Sequence, residues 1–458
     1  MNTTYLPRLI DDALLEWKNN PRRKPLLVRG ARQVGKSCAV RHLAKSFKYF
    51  LEVNLERNPE AADFFRGNRD VKSVANKLSD FFDVPVIPGE TLLFLDEIQK
   101  SEDVIHSLWF FKEDYPDLHV IAAGSLLEFA LKDLSSFGVG RVTSLFIYPM
   151  SFDEFLVAIG KKGLLKAKQE SDSEHPLATP FYDKLVDAFR SFMLVGGMPE
   201  AVATYAQTSS YRHSSDVVED ILEGYQDDFA KYNAKANPTL LRKTLISVAH
   251  QAGAKFVYNR VEGDYRSAEI KKALEMLCDA GLVIPVYHTD ANGVPLGAEI
   301  NERIVKYLIH DNGVMLAILG IDDDVDDYIK ELMVDNSIDL VDKGHVAEMM
   351  AGLEFIKYSS AQKRHQLYYW QNMNKGTCAE VDYVIAKSGE IVPVEVKSGV
   401  KGSMSSMYSL MRNPQKHIDH GIRCSLENFG CFSSPENKCI DIIPIYAISN
   451  IFQYSVKI

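Results

Sequence analysis

Residues 24–47, KPLLVRGARQVGKSCAVRHLAKSF, set the fold of the first part of the chain. An apolar run, Leu26 to Val28, leads into a glycine loop that ends in Gly35, Lys36 and Ser37. A helical pattern of apolar residues follows, so the sequence predicts a strand, a loop and a helix in that order. Such a loop places backbone N–H groups and a helix N-terminus around a phosphate. The structural alternative is a plain glycine turn between strand and helix.

Two further strand ends carry polar side chains. The run TLLFLDEIQK, residues 91–100, is apolar and then ends in Asp96 and Glu97, as expected for a parallel strand covered on both faces. A carboxylate at such a strand tip can hold the water shell of Mg²⁺, and its neighbour can orient an attacking water. A third strand, HVIAAGS, ends at Ser125, whose hydroxyl would lie between the other two tips.

With these three strands, the chain resembles the AAA+ superfamily of ATPases. The Walker A motif is matched by Gly30, Gly35, Lys36 and Ser37, the Walker B motif by Asp96 and Glu97, and the sensor-1 position by Ser125. The resemblance implies ATP as the nucleotide and Mg²⁺ as the metal, held by Ser37 and Asp96, with Lys36, Glu97 and Ser125 in catalysis. The residues expected to contact the nucleotide are Gly30, Ala31, Arg32, Gln33, Val34, Gly35, Lys36, Ser37 and Cys38.

An arginine follows the third strand in GVGRVTSLFIYPMSFDEF, residues 138–155. At this place such ATPases commonly keep an arginine that reaches the nucleotide of a neighbouring subunit. Arg141 fits that position, and it would neutralise transition-state charge on the γ-phosphate. The active form would then be a homo-oligomer. The alternative is that Arg141 forms a surface ion pair.

The middle of the chain contains a polar stretch and several helical patterns. Residues 161–179 are polar and predict a linker or mobile loop, and FMLVGGMPEAV, residues 192–202, predicts two helices joined by a tight turn. That block resembles one found in a large bacterial and archaeal family of AAA+ ATPases with an uncharacterised C-terminal region. Residues 239–300 predict helices followed by a two-stranded ribbon, which is typical of a winged helix.

The candidate recognition helix of that winged helix has mixed charge. Arg266, Lys271 and Lys272 lie beside Asp264 and Glu269. Phosphate-binding faces are usually uniformly basic, so a packing or regulatory role competes with DNA contact here.

A hairpin near the C-terminus, AEVDYVIAKSGEIVPVEVKSG (residues 379–399), places an acid before one strand and an acid and a base on the next. Glu395 and Lys397 are two residues apart and share one side of their strand, and Asp382 can face them. Acids can hold Mg²⁺ while a lysine positions a water that attacks a phosphodiester. A solvated edge hairpin of alternating charge would explain the same residues.

This hairpin resembles the PD-(D/E)xK nuclease superfamily, the restriction-endonuclease fold. Asp382 matches its metal-binding aspartate, Glu395 and Lys397 its ExK, and Glu348 the carboxylate of its first helix. The resemblance implies that Glu348, Asp382 and Glu395 bind metal and that Lys397 is catalytic. Val381 stands where the superfamily has a proline, and such domains can keep the fold without the chemistry.

Composition limits the classes of protein. The chain has 458 residues, 46% of them hydrophobic and 25% charged, which predicts several globular domains. No apolar stretch is long enough to span a bilayer, and the first residues form an amphipathic pattern instead of a signal peptide, so we expect a cytoplasmic protein without a membrane partner. The net charge of −10 argues against non-specific coating of nucleic acid. The aspartate-rich run at 322–327 predicts a solvated loop or helix start.

The six cysteines are not spaced as a disulfide framework. Cys424, Cys431 and Cys439, with His417 and His420 upstream, contain no CxxC pair. The sequence therefore favours buried or half-exposed thiols over a zinc site.

Together these patterns predict a multidomain α/β protein. We expect a three-layer AAA+ P-loop domain over 1–160, a linker and helical segment over 161–237, a winged-helix-like domain over 238–301 and a restriction-endonuclease-like α/β domain over 302–458. Two functions fit: a Mg²⁺-dependent ATPase coupled to a nucleic-acid-associated nuclease-like domain, with DNA as candidate partner, or a nucleotide-dependent regulatory switch with an inactive nuclease-like domain.

Overall fold

The computed structural model describes residues 5–133, 140–232, 237–320, 343–372, 379–397 and 402–452. The aspartate-rich run at 322–327 lies outside these ranges. Within them, none of the helices combines the length and the apolar character that a membrane span requires.

The first sheet is five-stranded and parallel, with strand order β2-β3-β4-β1-β5. It comprises β1 (Leu26–Arg29), β2 (Tyr49–Asn54), β3 (Thr91–Asp96), β4 (His119–Ala123) and β5 (Thr143–Phe146), with helices α1 (Ile10–Asn19), α2 (Lys36–Ala44), α3 (Val71–Phe82), α4 (Glu102–Asp114) and α5 (Leu127–Asp133). Leu26 and Val28 face the side where α1 and α2 pack, whereas Leu27 faces α3 and α4. Helices therefore cover both faces of the sheet, which confirms the predicted α/β architecture of this part of the chain.

Helices dominate the next part of the chain. They are α6 (Phe152–Ala158), α7 (Lys162–Gln169), α8 (Thr179–Val195), α9 (Pro199–Thr208), α10 (Tyr211–Asp228), α11 (Pro238–His250) and α12 (Ser267–Asp279). As predicted, α8 ends and α9 begins at the Gly196-Gly197 turn, where a Cβ on Gly197 would lie 2.3 Å from the carbonyl oxygen of Met150. A larger residue would force these helices apart.

The expectation of a linker over 161–179 was wrong, because α7 occupies its first half. Leu164 and Leu165 are buried, and the ammonium of Lys168 is fully buried 2.5 Å from the carboxylate of Asp153 in α6. A polar sequence can form a packed helix when its buried charge is paired in this way.

The predicted ribbon after α12 is part of a larger sheet. Strand β6 (Val283–Thr289) pairs antiparallel with β7 (Ile300–Ile309), but it also pairs parallel with β8 (Leu367–Gln371), which pairs with β9 (Glu380–Val381). The ribbon therefore does not form a free wing, since its second edge is hydrogen-bonded to β8. The expected boundary between residues 301 and 302 falls inside β7.

The C-terminal part forms a mixed five-stranded sheet with order β10-β11-β12-β14-β13. Its elements are β10 (Tyr383–Lys387), β11 (Glu390–Val396), β12 (His420–Ser425), β13 (Gly430–Ser433) and β14 (Cys439–Pro444), accompanied by α13 (Asn312–Ile318), α14 (Lys343–Lys357), α15 (Ser405–Met411) and α16 (Ser449–Phe452). The predicted hairpin is β10 and β11, antiparallel, with Ser388 and Gly389 at its turn. A mixed α/β arrangement is thus present.

Candidate functional site

The glycine loop between β1 and α2 is shaped by backbone geometry that glycine permits. Gly30 and Gly35 have φ angles of 145° and 93°, and Gln33 also has a positive φ of 64°. A Cβ on Gly30 would lie 2.2 Å from the carbonyl oxygen of Ile147, so no side chain fits there. Helix α2 begins directly after the loop at Lys36, which directs its N-terminal N–H groups toward the loop.

Lys36 occupies the mouth of this loop. Its Nζ donates to the carbonyl oxygens of Gly30 and Ala31, at 3.0 and 2.7 Å, and the residue is only 8% exposed. Burial lowers the Lys36 pKa to about 8, although the nearby Glu97 and Asp96 charges oppose that shift. A bound anion would supply the counter-charge that this lysine lacks.

Ser37 and Asp96 meet beside the lysine. The Ser37 hydroxyl donates to Asp96 Oδ2 at 3.0 Å, and the amide of Asn54 contacts the same oxygen at 3.3 Å. Burial, together with the charge of Glu97, raises the Asp96 pKa above its ordinary value. An all-oxygen group of this kind fits the hard cation Mg²⁺. Asn54 was not predicted, although its position at the end of β2 marks it as a strand-tip residue.

Glu97 and Ser125 also converge here. Glu97 has a left-handed backbone, φ 54°, and its Oε2 accepts a hydrogen bond from the Ser125 hydroxyl at 3.1 Å. The side-chain amide of Gln99 donates to the same Glu97 oxygen at 2.5 Å. The carboxyl ends of β1, β3 and β4, which are neighbours in the sheet, thus bring together the side chains that the sequence placed at strand tips. Gln99 was missed because nothing in its sequence context marks it.

Other predicted contact residues have different surroundings. Val34 is buried in the core, Cys38 is exposed, and the guanidinium of Arg32 forms an ion pair with Asp228 at the end of α10. The chain does not bring Arg141 to its own loop. Arg141 precedes the amino end of β5, opposite the loop, where it pairs with Glu113 at 2.9 Å and lies over the ring of Trp109.

A second group of charged residues forms around the hairpin. Lys397 Nζ lies 2.6 Å from Glu395 Oε1, and Asp382, just before β10, accepts a hydrogen bond from the backbone N–H of Val396 at 2.7 Å. Glu348 on α14 is buried, and the charge of Asp382 raises the pKa of both Glu348 and Glu395, as expected for carboxyls that lie near one another. The structure therefore gathers the predicted residues Glu348, Asp382, Glu395 and Lys397.

Two residues that were not predicted, Lys306 and Glu380, belong to the same group of charged side chains. Lys306 on β7 is buried, and its Nζ lies 2.8 Å from Glu348 Oε1 and 2.5 Å from Glu380 Oε1. Sequence separation hid Lys306, although a lysine within the apolar run RIVKYLI is an unusual core residue. Glu380 was overlooked although it stands two residues before Asp382. We use the name acid–lysine cluster for Lys306, Glu348, Glu380, Asp382, Glu395 and Lys397.

The carboxyls of the cluster are held in unfavourable surroundings. Burial raises the Glu348 pKa to about 8 and the Glu395 pKa to about 7, and Asp382 adds to both shifts. Glu395 Oε2 is buried with no hydrogen-bond partner among the described residues. Carboxylate oxygens crowded in this way fit a divalent cation, which would stabilise their charged forms.

Family models match three segments of the chain. An AAA domain matches residues 22–156, which hold the loop and the three polar strand ends. Two domains of unknown function match the remainder, DUF8612 over residues 186–325 and DUF4143 over residues 343–448. No curated protein matches the chain significantly.

Three solved structures are similar to the chain at low levels. A Walker-type ATPase of Pyrococcus abyssi has 13% identity and a TM-score of 0.44, covering 69% of this chain and 96% of that one. The Aeropyrum pernix ORC1 protein in complex with DNA has 13% identity and a TM-score of 0.29, covering 71% and 95%. Drosophila ORC bound to DNA has 15% identity and a TM-score of 0.25, covering 67% and 84%.

The AAA domain contacts the middle region, the name used here for residues 161–301, through its phosphate-binding loop. Besides the pair of Arg32 and Asp228, the Tyr225 hydroxyl of α10 donates to the carbonyl oxygen of Arg32 at 2.9 Å. Gly281, after α12, lies so close to Ala31 that a Cβ on it would be 3.2 Å from the Ala31 nitrogen. Segments from two parts of the middle region therefore touch the loop of the AAA domain.

Proposed function

We propose that this chain is a Mg²⁺-dependent AAA ATPase coupled to a nucleic-acid-associated nuclease-like domain. The observation that carries the proposal is the convergence of Lys36, Ser37, Asp96, Glu97 and Ser125 at neighbouring strand ends, with hydrogen bonds from Ser37 to Asp96 and from Ser125 to Glu97. Each residue type is the one needed at that place for phosphoryl transfer to water.

The roles follow from the surroundings of each group. Lys36 and the loop N–H groups hold the phosphates, and Ser37 and Asp96 hold Mg²⁺, which supplies charge neutralisation when bound. Glu97 accepts the proton of the attacking water or orients that water, and Ser125 and Gln99 keep its carboxylate in place.

Steady-state phosphate release with ATP and Mg²⁺ tests this proposal. We expect Lys36→Ala to abolish tight ATP binding, and Glu97→Gln to retain binding while lowering turnover by about 100-fold or more, since a general base contributes about 10²–10⁴ in rate. Lys45→Ala, an exposed lysine beyond the end of the same helix, is the matched control and keeps wild-type turnover. Wild-type turnover in Glu97→Gln would overturn the assignment of Glu97.

Oligomer formation belongs to the same proposal. Arg141 precedes the edge strand β5, far from its own loop, and its side chain is 36% exposed. In the proposed oligomer it reaches the nucleotide of another copy. We expect Arg141→Ala and Glu97→Gln to be inactive alone and to regain turnover when mixed, because each supplies what the other lacks. A mixture without activity would restrict Arg141 to its ion pair with Glu113. Arg22→Ala, an exposed arginine elsewhere on this domain, should behave as wild type.

For the acid–lysine cluster we propose a divalent-metal site of a nuclease-like domain, which acts on nucleic-acid phosphodiesters. The unpartnered Glu395 Oε2 and the approach of Asp382, Glu348 and Lys397 support this role. The Mn²⁺ signal in electron paramagnetic resonance reports binding: Glu395→Gln should remove one bound ion that persists in Asp96→Asn. Glu390→Gln, exposed on the same strand, is the control. Equal binding in Glu395→Gln and wild type would contradict a metal site here.

A regulatory switch is the second candidate function. It is favoured by the contacts that tie the loop of the AAA domain to Asp228, Tyr225 and Gly281. In this alternative the nucleotide controls the position of the middle region, and the acid–lysine cluster binds without cutting. The two functions differ in whether phosphodiester cleavage accompanies ATP turnover.

A further inference from the structure

A group of soft and borderline metal ligands lies on the C-terminal sheet, apart from both sites described above. His420 on β12 stands opposite Cys439 on the parallel strand β14, and Asp441 follows two residues later on the same face. The His420 Nε2 lies 2.8 Å from Asp441 Oδ2, and the Cys439 Sγ lies 3.9 Å from Asp441 Oδ1. The three ligand atoms are within 4.8 Å of one another.

A fourth candidate comes from the neighbouring edge strand. Strand β13 pairs antiparallel with β14, and Cys431 stands opposite Asp441 in that pairing. Directly paired residues have their side chains on the same face of a sheet, so Cys431 borders the group. Cys431 and Cys439 are both exposed, which leaves the group open to an ion from solvent.

We propose that His420, Cys439 and Asp441 bind a transition-metal ion of the zinc class, with Cys431 as the fourth ligand. Thiolate and imidazole favour such ions over Mg²⁺. Zinc lies about 2.0–2.3 Å from its nitrogen, oxygen and sulfur ligands, so ligand atoms in a tetrahedral site are up to about 4 Å apart. The His420–Asp441 and Cys439–Asp441 separations, 2.8 and 3.9 Å, are compatible with that range.

The residue types in the group suit a cation. The Asp441 carboxylate is an anionic ligand, and cysteine thiols lose their protons when they bind a metal, so a divalent ion would offset the negative charge gathered here. The ion would join β12, β14 and the edge strand β13, and so fix the end of the sheet.

The zinc-class site is independent of the acid–lysine cluster. Glu395 on β11 stands opposite Arg423 on β12, whereas His420 is three residues from Arg423 and so points to the other face. Cys424, which the sequence grouped with the other cysteines, is buried farther along β12 and is not part of the site. The sequence predicted buried or half-exposed thiols, whereas the structure places Cys431 and Cys439 at the surface.

Cobalt absorption on the full chain tests the proposal. Co²⁺ is added to the reduced protein in excess Mg²⁺, which occupies oxygen-only sites, and the thiolate-to-cobalt charge-transfer band is recorded. We expect one equivalent of Co²⁺ to produce the band and Zn²⁺ to remove it. Absence of the band in the wild-type protein would overturn the proposal.

Variants assign the ligands. Cys439→Ser and Cys431→Ser should each lower the band by about half because one of two thiolates is lost, the double variant should abolish it, and Asp441→Asn should weaken Co²⁺ binding by about tenfold or more. Cys278→Ser, in α12, is the matched control and leaves the band unchanged. An unchanged band in Cys439→Ser would contradict the site, and an unchanged band in Cys431→Ser would remove the fourth ligand.

Discussion

His310 shows how one buried residue connects distant parts of the chain. It follows β7, is 2% exposed, and its Nε2 lies 3.2 Å from the Tyr225 hydroxyl, which in turn donates to the carbonyl oxygen of Arg32 in the phosphate-binding loop. Its Nδ1 has no partner among the described residues. Burial lowers the His310 pKa to about 4, so the folded protein holds this imidazole neutral.

This residue predicts a dependence of stability on pH. The unfolded chain binds a proton at His310 below about pH 6.5, whereas the folded chain binds it only near the lowered pKa. The contribution of the neutral His310 imidazole to the free energy of unfolding is therefore present above pH 6.5. It is lost as the pH falls toward 4, by about 3 kcal/mol in total.

Urea unfolding between about pH 5 and 7 measures the effect. We expect His310→Gln, which cannot be protonated, to flatten the fall in unfolding free energy, while His213→Gln, an exposed histidine on α10, keeps the wild-type slope. The same slope in His310→Gln and wild type would show that this imidazole does not titrate differently on folding.

Helix α7 illustrates how an element can depend on one ion pair. Lys168 and Asp153 are fully buried, and Lys168 also contacts the Ser449 hydroxyl of α16 at 2.5 Å. We expect Lys168→Ala to cost about 3–5 kcal/mol of unfolding free energy, because it leaves a buried carboxylate without its partner. Lys166→Ala, which removes an exposed lysine from the same helix, should cost no more than about 0.5 kcal/mol.

The double variant Lys168→Met with Asp153→Leu separates charge from packing. Replacing a buried pair by apolar side chains is often neutral, so stability should return toward wild type in thermal unfolding. A double variant as unstable as Lys168→Ala would mean that packing around α7, and not the unpaired charge, causes the loss.

Helix α10 is one of the two segments of the middle region that touch the phosphate-binding loop. Asp228 at its end pairs with Arg32 and with Lys231. If nucleotide binding acts through this contact, ATP should slow hydrogen exchange both in the loop and in α10. In Asp228→Asn we expect ATP still to slow hydrogen exchange in the loop. The slowing in α10 should be weaker than in wild type by about fivefold or more, which is the usual lower range of coupling between sites.

Asp227→Asn is the matched control, since Asp227 is the exposed neighbour of Asp228. Hydrogen exchange followed by mass spectrometry resolves the two segments. Retained protection of α10 in Asp228→Asn would place the coupling elsewhere, for example at Gly281.

Across the whole molecule, sequence patterns predicted the features that depend on residues close together in the chain, such as strand ends and the hairpin. The order of Lys36, Asp96 and Ser125 at strand tips was enough for the AAA domain, and alternation was enough for the hairpin that carries Glu395. Glu380 was within reach of the alternation argument, since it stands two residues before Asp382. Lys306 could not be predicted, because β7 is far from the hairpin in sequence and meets Glu380 only in the fold. Lys168 was misjudged for a similar reason, since its partner lies on another helix.

The two proposed functions differ in whether phosphodiester cleavage accompanies ATP turnover, and a cleavage assay on the whole chain separates them. Cutting of single- and double-stranded DNA in Mg²⁺ is compared with and without ATP. In the proposed nuclease-like site Lys397, 2.6 Å from Glu395, would position the attacking water, so we expect Lys397→Ala to lower cutting by about 100-fold or more. Lys387→Ala, exposed on the same hairpin, should cut as wild type.

Lys36→Ala then reports on the coupling between ATP turnover and cutting. It removes nucleotide binding at the first sheet and leaves the acid–lysine cluster intact. Loss of ATP dependence in Lys36→Ala, with cutting otherwise retained, would support an ATPase coupled to nuclease chemistry. Turnover of ATP without cutting under any of these conditions would reject cleavage and favour the regulatory switch, in which the contacts of Arg32 and Ala31 with the middle region are the output of the AAA domain.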